Sequence, residues 1–391
     1  MKKIYLDYAA STPLDPKVLK VLNRSLKRDF GNSMSLHSFG KEAALILEQS
    51  RQTFAHLLKV KPEEIIFTSS ASESNNFVLK GLTDQREPNE IIISAIEHPC
   101  LKETAAYLSK KGWQIYYLPV NKNGIVKLNV LKKLLTPKTL LVSVMHINNE
   151  TGMIQPIDQI GKMIHQYNLK HKTKILFHTD ASQSFGKIPI KIKNWHIDLL
   201  TASSHKIYGP KGAGLLYIKS GIELTPLIHG GGQEFNLRSS TVNVPAILGF
   251  REAAEVAFKR MRKDHLYFKK LKDWLVKEIL KTIPQSYLNG AFLNSSPYIM
   301  NFSFKGIEGE ALVGLLDYYG FALSTGSACS SSKLVPSYVL MAMGLKRERA
   351  HSSLRISLGR GLKKEDLKDF VKKLKLAVKR LRTISPLIKN K

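Results

Sequence analysis

The chain has 391 residues, of which 43% are hydrophobic, and 60 Lys and Arg against 31 Asp and Glu give a formal net charge of +29. A chain of this length is long enough for two domains with a large shared core. It has no apolar run near the roughly 20 residues of a membrane span, and its N-terminus lacks the apolar core of a signal peptide. With only two cysteines, Cys100 and Cys329, it has no disulfide framework. These features argue against a membrane or secreted protein and predict a cytoplasmic location.

The excess positive charge is spread along the chain and is densest in two helical patterns, at residues 259–281 and 363–382. No basic stretch interleaved with aromatic residues resembles a nucleic-acid module, so direct nucleic-acid binding is not expected. Two interpretations stay open. The charge is either a solvated basic face or a surface that attracts an acidic protein or a tRNA-bearing partner.

Helices and strands alternate up to Asn243. Asp15 and Pro16 form a helix start, and this first helix should run to about Arg28. After a loop at 31–37, a long amphipathic helix is expected from about Lys41 to Leu58. The predicted strands lie at residues 65–68, 91–94, 114–119, 140–146, 175–179, 199–202 and 214–219. This rhythm predicts an α/β fold with a mainly parallel seven-stranded sheet between helices.

After Asn243 the pattern changes to a long basic helix that ends near Thr282. A strand at 298–304, a helix at 308–319, a strand at 352–358 and a final helix from about Lys363 follow. These elements predict a smaller α+β unit.

A lysine at the end of a predicted strand is the first candidate for covalent chemistry. Residues 199–212 form an apolar run, then Ser203, His205 and Lys206, then a Gly/Pro turn. Partial desolvation at such a position favours the neutral amine, which forms Schiff bases. Asp180 ends the preceding strand, where a carboxylate usually marks a site. Pyridoxal phosphate (PLP) needs a lysine for its aldehyde and a carboxylate for its pyridine nitrogen, so the pair predicts a PLP site.

Two motifs around these residues resemble a known family. Residues 180–184 (Asp-Ala-Ser-Gln-Ser) and 203–212 (Ser-Ser-His-Lys-Ile-Tyr-Gly-Pro-Lys-Gly) are similar to signatures of the NifS/IscS-type cysteine desulfurases. These enzymes belong to the class-V aminotransferase family of fold-type I PLP enzymes. The resemblance runs from Tyr5 to Leu387. It implies removal of sulfur from L-cysteine to give L-alanine, with the sulfur supplied to iron–sulfur cluster assembly, tRNA thiolation or both.

The resemblance also implies how the cofactor phosphate is bound. Ala71 and Ser72 begin a helix after a strand, where free N–H groups attract an anion. Taken alone, this turn would more often be an ordinary helix N-cap by Ser70 or Ser72. By resemblance, Ser203, His205 and Thr241 complete the phosphate site, with Thr241 contributed by the neighbouring subunit of a homodimer.

Other residues are expected around the cofactor ring. By resemblance, Lys206 binds the aldehyde, Asp180 the pyridine nitrogen and Gln183 the ring oxygen. His98 follows a strand, and its counterpart in the family stacks on the ring and is a candidate proton shuttle. Asn148 is expected to contact both the cofactor and the substrate carboxylate. Without the resemblance, His98 and Asn148 would be taken as structural.

The sulfur-handling residue is expected in a loop of small residues at 324–332, which surrounds Cys329. Small residues cannot build a core there, so reactivity of this cysteine is favoured over burial. The loop resembles that of the long-loop class, in which this cysteine is the nucleophile. Arg355 would bind the substrate carboxylate, although a structural salt bridge is the alternative. Cys100 has no implied role and should pack in a helix, and no metal site is expected.

The implied domain organisation is discontinuous, with a large PLP-binding domain at 15–257 and a small domain formed by 1–14 and 258–391. The expected partners are a second copy of the chain and a sulfur-acceptor protein, either an iron–sulfur scaffold or a tRNA-thiolation enzyme. Two alternatives remain at this point. One is another fold-type I PLP enzyme, such as a selenocysteine lyase or an aminotransferase, and the other is a non-enzymatic sulfur-delivery protein.

Overall fold

The computed structural model describes residues 3–326 and 335–385. The strands are β1 (Ile4–Tyr5), β2 (Ile65–Thr68), β3 (Glu90–Ser94), β4 (Gln114–Leu118), β5 (Thr139–Ser143), β6 (Leu176–Asp180), β7 (Leu199–Ser203), β8 (Gly214–Ile218), β9 (Ser286–Leu288), β10 (Ile299–Phe304), β11 (Phe321–Ala322) and β12 (Ser353–Ser357). The α-helices are α1 (Pro16–Arg28), α2 (Ser38–Leu58), α3 (Ala71–Thr83), α4 (Pro99–Ser109), α5 (Leu128–Leu134), α6 (Ile157–His171), α7 (Val244–Thr282), α8 (Gly309–Tyr318), α9 (Tyr338–Ala342), α10 (Arg347–His351) and α11 (Lys364–Ile384).

Seven strands form the central sheet, in the order β2-β8-β7-β6-β5-β3-β4. The five strands from β7 to β4 are parallel, and β8 runs antiparallel to both of its neighbours. The predicted α/β fold with a mainly parallel seven-stranded sheet is therefore confirmed.

Helices cover the sheet on both faces because successive side chains of a strand point to opposite sides. On one face, Ile92 of β3 packs in a core with Phe54 of α2 and Phe250 of α7. On the other, Ile91 of β3 packs with Phe77 of α3. Burial on both faces explains why these strands read as continuous apolar runs.

A second unit contains two smaller sheets. One has the antiparallel order β12-β10-β9, and the other pairs β1 in parallel with β11. The long helix α7 joins the units, since its Phe250 packs in the core beside the large sheet and its Leu275 packs beside the small ones. Among the residues that the structure describes, no helix is long and apolar enough to cross a membrane.

The predicted boundaries differ from the structure by a few residues at particular caps. Helix α2 begins at Ser38 rather than at Lys41, because the His37 side chain caps it by accepting the Gly40 N–H. Strand β5 ends at Ser143, although His146 still donates its N–H to the carbonyl of Asp180.

Candidate active site

A cavity of about 230 Å³ lies beyond the carboxyl ends of β6 and β7. Parallel α/β sheets bind ligands at this edge. The structure brings nine of the predicted site residues to its wall: Ala71, Ser72, His98, Asp180, Gln183, Ser203, His205, Lys206 and Arg355.

Lys206 ends a short 3₁₀ turn directly after β7. Its Nζ donates to the carbonyl oxygens of Ala9 and Ala10, each at 2.8 Å. The Thr12 N–H also donates to the carbonyl of His205, at 3.0 Å. The N-terminal segment therefore forms the wall against which the lysine amine lies.

Asp180 is the last residue of β6, and its side chain is almost fully buried. One carboxylate oxygen accepts from Asn75 Nδ2 at 2.7 Å, and the other accepts from the Ser182 N–H at 2.8 Å. Asn75 lies in α3, and nothing in the sequence pointed to this contact except its position one turn into the helix. Two neutral donors hold the carboxylate in place.

Gln183 is oriented from both ends of its amide. Its Nε2 donates to the Ala9 carbonyl at 2.9 Å, and its Oε1 accepts from Lys187 Nζ at 3.2 Å. Burial, followed by the charges of Lys206 and Arg360, lowers the pKa of Lys187 to about 7. Lys187 was not singled out from the sequence, where it is one lysine among many.

His98 is the N-cap of α4, and its Nδ1 accepts the Cys100 N–H at 3.2 Å. Because Nδ1 accepts, the neutral ring carries its proton on Nε2. Burial is the largest influence on the pKa of His98 and lowers it; nearby Lys206 also lowers it, against the opposing effect of Asp180. The imidazole is therefore neutral near pH 7.

Cys100 lines the cavity, contrary to the expectation that it only packs in a helix. Its Sγ lies 3.1 Å from His98 Nδ1 and accepts from Asn75 Nδ2 at 3.2 Å. The reason is position: residue 100 is the second residue of α4, and the first turn of that helix faces the site. Burial, with the charge of Asp180, raises the pKa of this thiol to about 12, so it is not a thiolate at neutral pH.

The turn before α3 forms a polar cradle. Ser70 is the N-cap in an extended conformation (φ −170°), and its Oγ accepts the Glu73 N–H. Gly214 of β8 is needed beside it, since a Cβ there would lie 2.6 Å from the Ser70 carbonyl carbon. Ser203 Oγ is buried with no partner among the described residues. Burial and the charge of Lys206 lower the pKa of His205 to about 3, which keeps it neutral.

Arg355 of β12 is 1% exposed and reaches the cavity from the small unit. One terminal nitrogen donates to Asp7 Oδ1 at 2.7 Å and the other to the Asn149 carbonyl at 3.0 Å. Its Nε has no partner among the described residues. A structural salt bridge is thus present, and the guanidinium keeps further donors beside the cavity.

The structure does not bring Asn148 to the wall of the cavity. Asn148 is fully buried, and its Oδ1 accepts from Glu150 N, Thr151 N and Thr151 Oγ. Its Nδ2 donates to the carbonyl of Ile96. These hydrogen bonds use both ends of the Asn148 side-chain amide inside the turn. The adjacent residue, Asn149, lines the cavity instead.

One further predicted residue, Thr241, does not reach this cavity, and another lies outside the described part of the chain. Thr241 is exposed and is not part of the wall. Cys329 lies outside the described residues, between Gly326 and Val335.

The sequence matches the aminotransferase class-V family over residues 4–370. The chain belongs to the class-V aminotransferase family. A relative from Dictyoglomus turgidum, named cysteine desulfurase IscS, is 44% identical over 387 residues, covering 98% of this chain and 97% of that protein. The solved structure of a class-V relative titled NifS-like protein superposes with a TM-score of 0.90 at 38% identity, covering 97% of this chain and all of that one. Another, titled SspA in complex with cysteine, has a TM-score of 0.80 at 35% identity and covers 91% of this chain and 99% of that one.

The class-V family depends on PLP, and so does this chain. The cavity fits that cofactor on the chain's own geometry. It holds an amine at Lys206, a buried carboxylate at Asp180 and, in Ser203 Oγ beside the start of α3, a buried hydroxyl with no partner in the part of the chain that the structure describes. An aldehyde, a pyridine nitrogen and a phosphate need these three groups.

The Cys100 thiol should resist alkylation in the native holoenzyme. With a pKa of about 12, only about one thiol in ten thousand is ionised at pH 8. We expect iodoacetamide to modify Cys100 at least roughly 100-fold more slowly in the native protein than in urea, as followed by peptide mass spectrometry. Equal rates in the two states would contradict the burial of this thiol.

Glu97 is a fully buried carboxyl next to His98. Its Oε1 accepts from Ser94 Oγ at 2.7 Å and from the Met145 N–H at 2.6 Å, while Oε2 has no partner among the described residues. Burial, to which the charge of Asp180 adds, raises the pKa of Glu97 to about 8, so the group is protonated at neutral pH.

The pH dependence of stability should reveal this proton. Between about pH 4.5 and 8 the unfolded protein releases it and the folded protein does not, so the wild type loses stability as pH rises. Glu97→Gln has no such proton. In urea denaturation, the unfolding free energies of the wild type and Glu97→Gln should diverge by about 1.4 kcal/mol per pH unit between pH 5 and 8. Above pH 8 the difference between them should stay constant. Parallel curves from pH 5 upwards would contradict a protonated Glu97.

Proposed function

We propose that this chain is a PLP-dependent cysteine desulfurase that converts L-cysteine to L-alanine and retains the sulfur on Cys329. The observation that carries the proposal is the meeting of Lys206, Asp180 and Arg355 in one cavity. A lysine and a carboxylate fit PLP, and a buried arginine with unused donors fits the carboxylate of an amino acid. The relatives named cysteine desulfurase, and a neighbour whose structure contains cysteine, support the same substrate.

The cofactor would be held from three sides. Lys206 would bond to its aldehyde, Asp180 would accept from its pyridine nitrogen, and the start of α3 with Ser203 would bind its phosphate. When bound, PLP withdraws electrons from the substrate Cα and so makes the Cα proton acidic. Gln183 and His98 limit the tilt of the ring.

The substrate carboxylate is expected against Arg355, with Asn149 replacing the Asn148 of the sequence prediction. Lys206 Nζ, once released by the substrate amine, is the base for the Cα proton. His98 presents Nε2–H as a neutral donor, because Nδ1 is occupied by the Cys100 N–H. We assign to it the delivery of a proton to the leaving carbon fragment.

Sulfur transfer is assigned to the thiolate of Cys329. It attacks the substrate sulfur, so that an S–S bond forms while the Cβ–S bond breaks and its electron pair stays with carbon. The carbon fragment takes up protons and leaves as L-alanine. Among the described residues just before the segment that carries Cys329, the Ser324 carbonyl accepts the Arg355 N–H at 2.7 Å.

The alternatives have less support. An aminotransferase does not require a cysteine in the 324–332 loop, and a non-enzymatic protein does not require the polar groups that converge on Lys206. Cys100 cannot replace Cys329 as the nucleophile, because its thiol stays protonated.

We further propose that the persulfide supplies an iron–sulfur scaffold or a tRNA-thiolation enzyme by thiol exchange. A cytoplasmic location suits this chemistry, because a reducing compartment keeps both cysteines as thiols. The pairing of β1 with β11 supports the proposed discontinuous small domain, residues 1–14 with 258–391, beside a large domain at 15–257.

The proposed activity predicts a combined spectral and product assay. The purified protein should show the absorbance of bound PLP, change it on addition of L-cysteine, and form alanine together with sulfide under a reductant. Cys329→Ala should keep the cofactor absorbance but lose roughly 100-fold or more of product formation, because the attacking thiolate is gone. Ser330→Ala is the matched control and should keep activity. Full activity in Cys329→Ala would exclude the desulfurase mechanism.

We propose a homodimer on the basis of an exposed apolar surface between α1 and α2. Phe30 is 71% and Leu36 is 88% exposed, and Met34 and Phe39 beside them are also exposed. Contiguous apolar exposure of this kind marks an interface. A second copy would also explain Thr241, which is absent from the cavity of its own chain and is expected to complete the partner's phosphate site.

Charges placed on this surface should separate the subunits. Met34→Asp with Leu36→Asp is expected to weaken dimerisation by roughly tenfold or more and to weaken PLP binding with it, because buried charges are costly in an interface. Light scattering after gel filtration and PLP titration measure the two effects. Leu169→Asp, a change at an equally exposed leucine of α6, is the control and should remain dimeric. A wild-type monomer that retains PLP would contradict the proposal.

A further inference from the structure

A second concave surface lies away from the PLP cavity. It is a groove of about 610 Å³, lined by Lys122, Asn123, Tyr287, Leu288, Gly290, Lys305, Met343, Gly344, Leu345, Lys346, Glu348, Arg349 and Ser352. We refer to it as the basic groove. Four of its lining residues are cations and only Glu348 is acidic. Its three lysines are all exposed.

We propose that the basic groove binds an acidic segment of the protein that accepts the sulfur. This inference rests on the proposed desulfurase function. In this proposal the groove recognises the partner, and part of the excess positive charge behind the net charge of +29 lies in the groove.

The position of the groove favours an acceptor over an unrelated ligand. The short helix α10 contributes Glu348 and Arg349 to the groove, while its Ala350 and His351 line a small cavity together with Thr325 and Val335. Those two residues flank the 327–334 segment that carries Cys329. A protein seated in the groove would therefore contact the same short helix that meets described residues on both sides of this segment in the sequence.

The chemistry of the lining favours carboxylates over a nucleic acid. Single-stranded nucleic acids bind by stacking bases on aromatic faces and by pairing phosphates with arginine. Tyr287 is the aromatic residue of the lining, and the Arg349 guanidinium lies 4.9 Å from its ring centroid. Arg349 also donates to Asn289 Oδ1 at 2.9 Å, so part of the hydrogen-bonding capacity of its guanidinium is already used within the protein.

The remaining cations are Lys122, Lys305 and Lys346, which act as separate point charges on flexible stems. Scattered lysines suit carboxylates spaced along an extended segment. Between them the groove presents the apolar side chains of Leu288, Met343 and Leu345. The expected ligand is therefore a peptide segment with Asp or Glu on both sides of an apolar residue.

Binding of a model peptide to the holoenzyme tests the proposal. The probe is a fluorescent peptide of sequence Glu-Leu-Glu-Glu-Leu-Glu, followed by anisotropy at low and high salt. The triple variant Lys122→Glu, Lys305→Glu, Lys346→Glu should weaken binding about tenfold or more, since three weak exposed charge pairs are reversed. The affinity of the wild type should fall with salt.

A second triple variant controls for total charge. Lys162→Glu, Lys170→Glu, Lys193→Glu makes the same change of net charge at exposed lysines that do not line the groove. It should bind the peptide within about twofold of wild type. Equal loss in both triple variants would overturn the proposal, and so would tighter binding of a short single-stranded RNA than of the peptide.

Alanine formation from L-cysteine under a reductant separates this inference from the proposed function. Both triple variants should keep the wild-type rate, because none of the six lysines contacts the PLP cavity. If the wild type forms no alanine, the proposed function fails, and with it the identity of the partner. If the wild type is active and the groove variant binds the peptide unchanged, only the groove proposal fails.

Discussion

The site depends on the way in which the half-buried Lys206 and the buried Arg355 share one N-terminal segment. Lys206 donates to the carbonyls of Ala9 and Ala10, and Arg355 pairs with Asp7 two residues earlier. A cation taken out of water is stable only when other groups replace its hydration. The segment supplies those groups to a lysine of the large sheet and an arginine of the small sheet at once. It thereby fixes the distance between the proposed cofactor-binding amine and the proposed carboxylate-binding site.

What the sequence could predict follows from the geometry of parallel strands. Asp180 and Lys206 each come after an apolar strand, and parallel strands place their carboxyl ends along one edge, so their meeting needed no knowledge of side-chain contacts. The strand pattern itself was readable because burial on both faces leaves continuous apolar runs. His98 and Ser203 also lie at strand ends, but their expected roles came from the family resemblance.

The contacts made by side chains inside loops and across units could not be predicted in this way. Asn148 and Asn149 are identical in type, and only the turn geometry decides which amide caps the loop and which lines the cavity. Cys100 looked like an inert helix residue because its approach to His98 depends on the direction in which α4 begins. The role of the carbonyls of Ala9 and Ala10 carries no sequence signal, since every residue has a carbonyl.

The central claim is that sulfur from L-cysteine is taken by one cysteine, Cys329, and not by the buried Cys100. The most direct measurement is peptide mass spectrometry of the PLP-loaded protein after brief incubation with L-cysteine and alkylation without a reductant. The account predicts one additional sulfur atom on the peptide that contains Cys329 and none on the peptide that contains Cys100. Additional sulfur on Cys100, or none on either peptide while alanine forms, would contradict it.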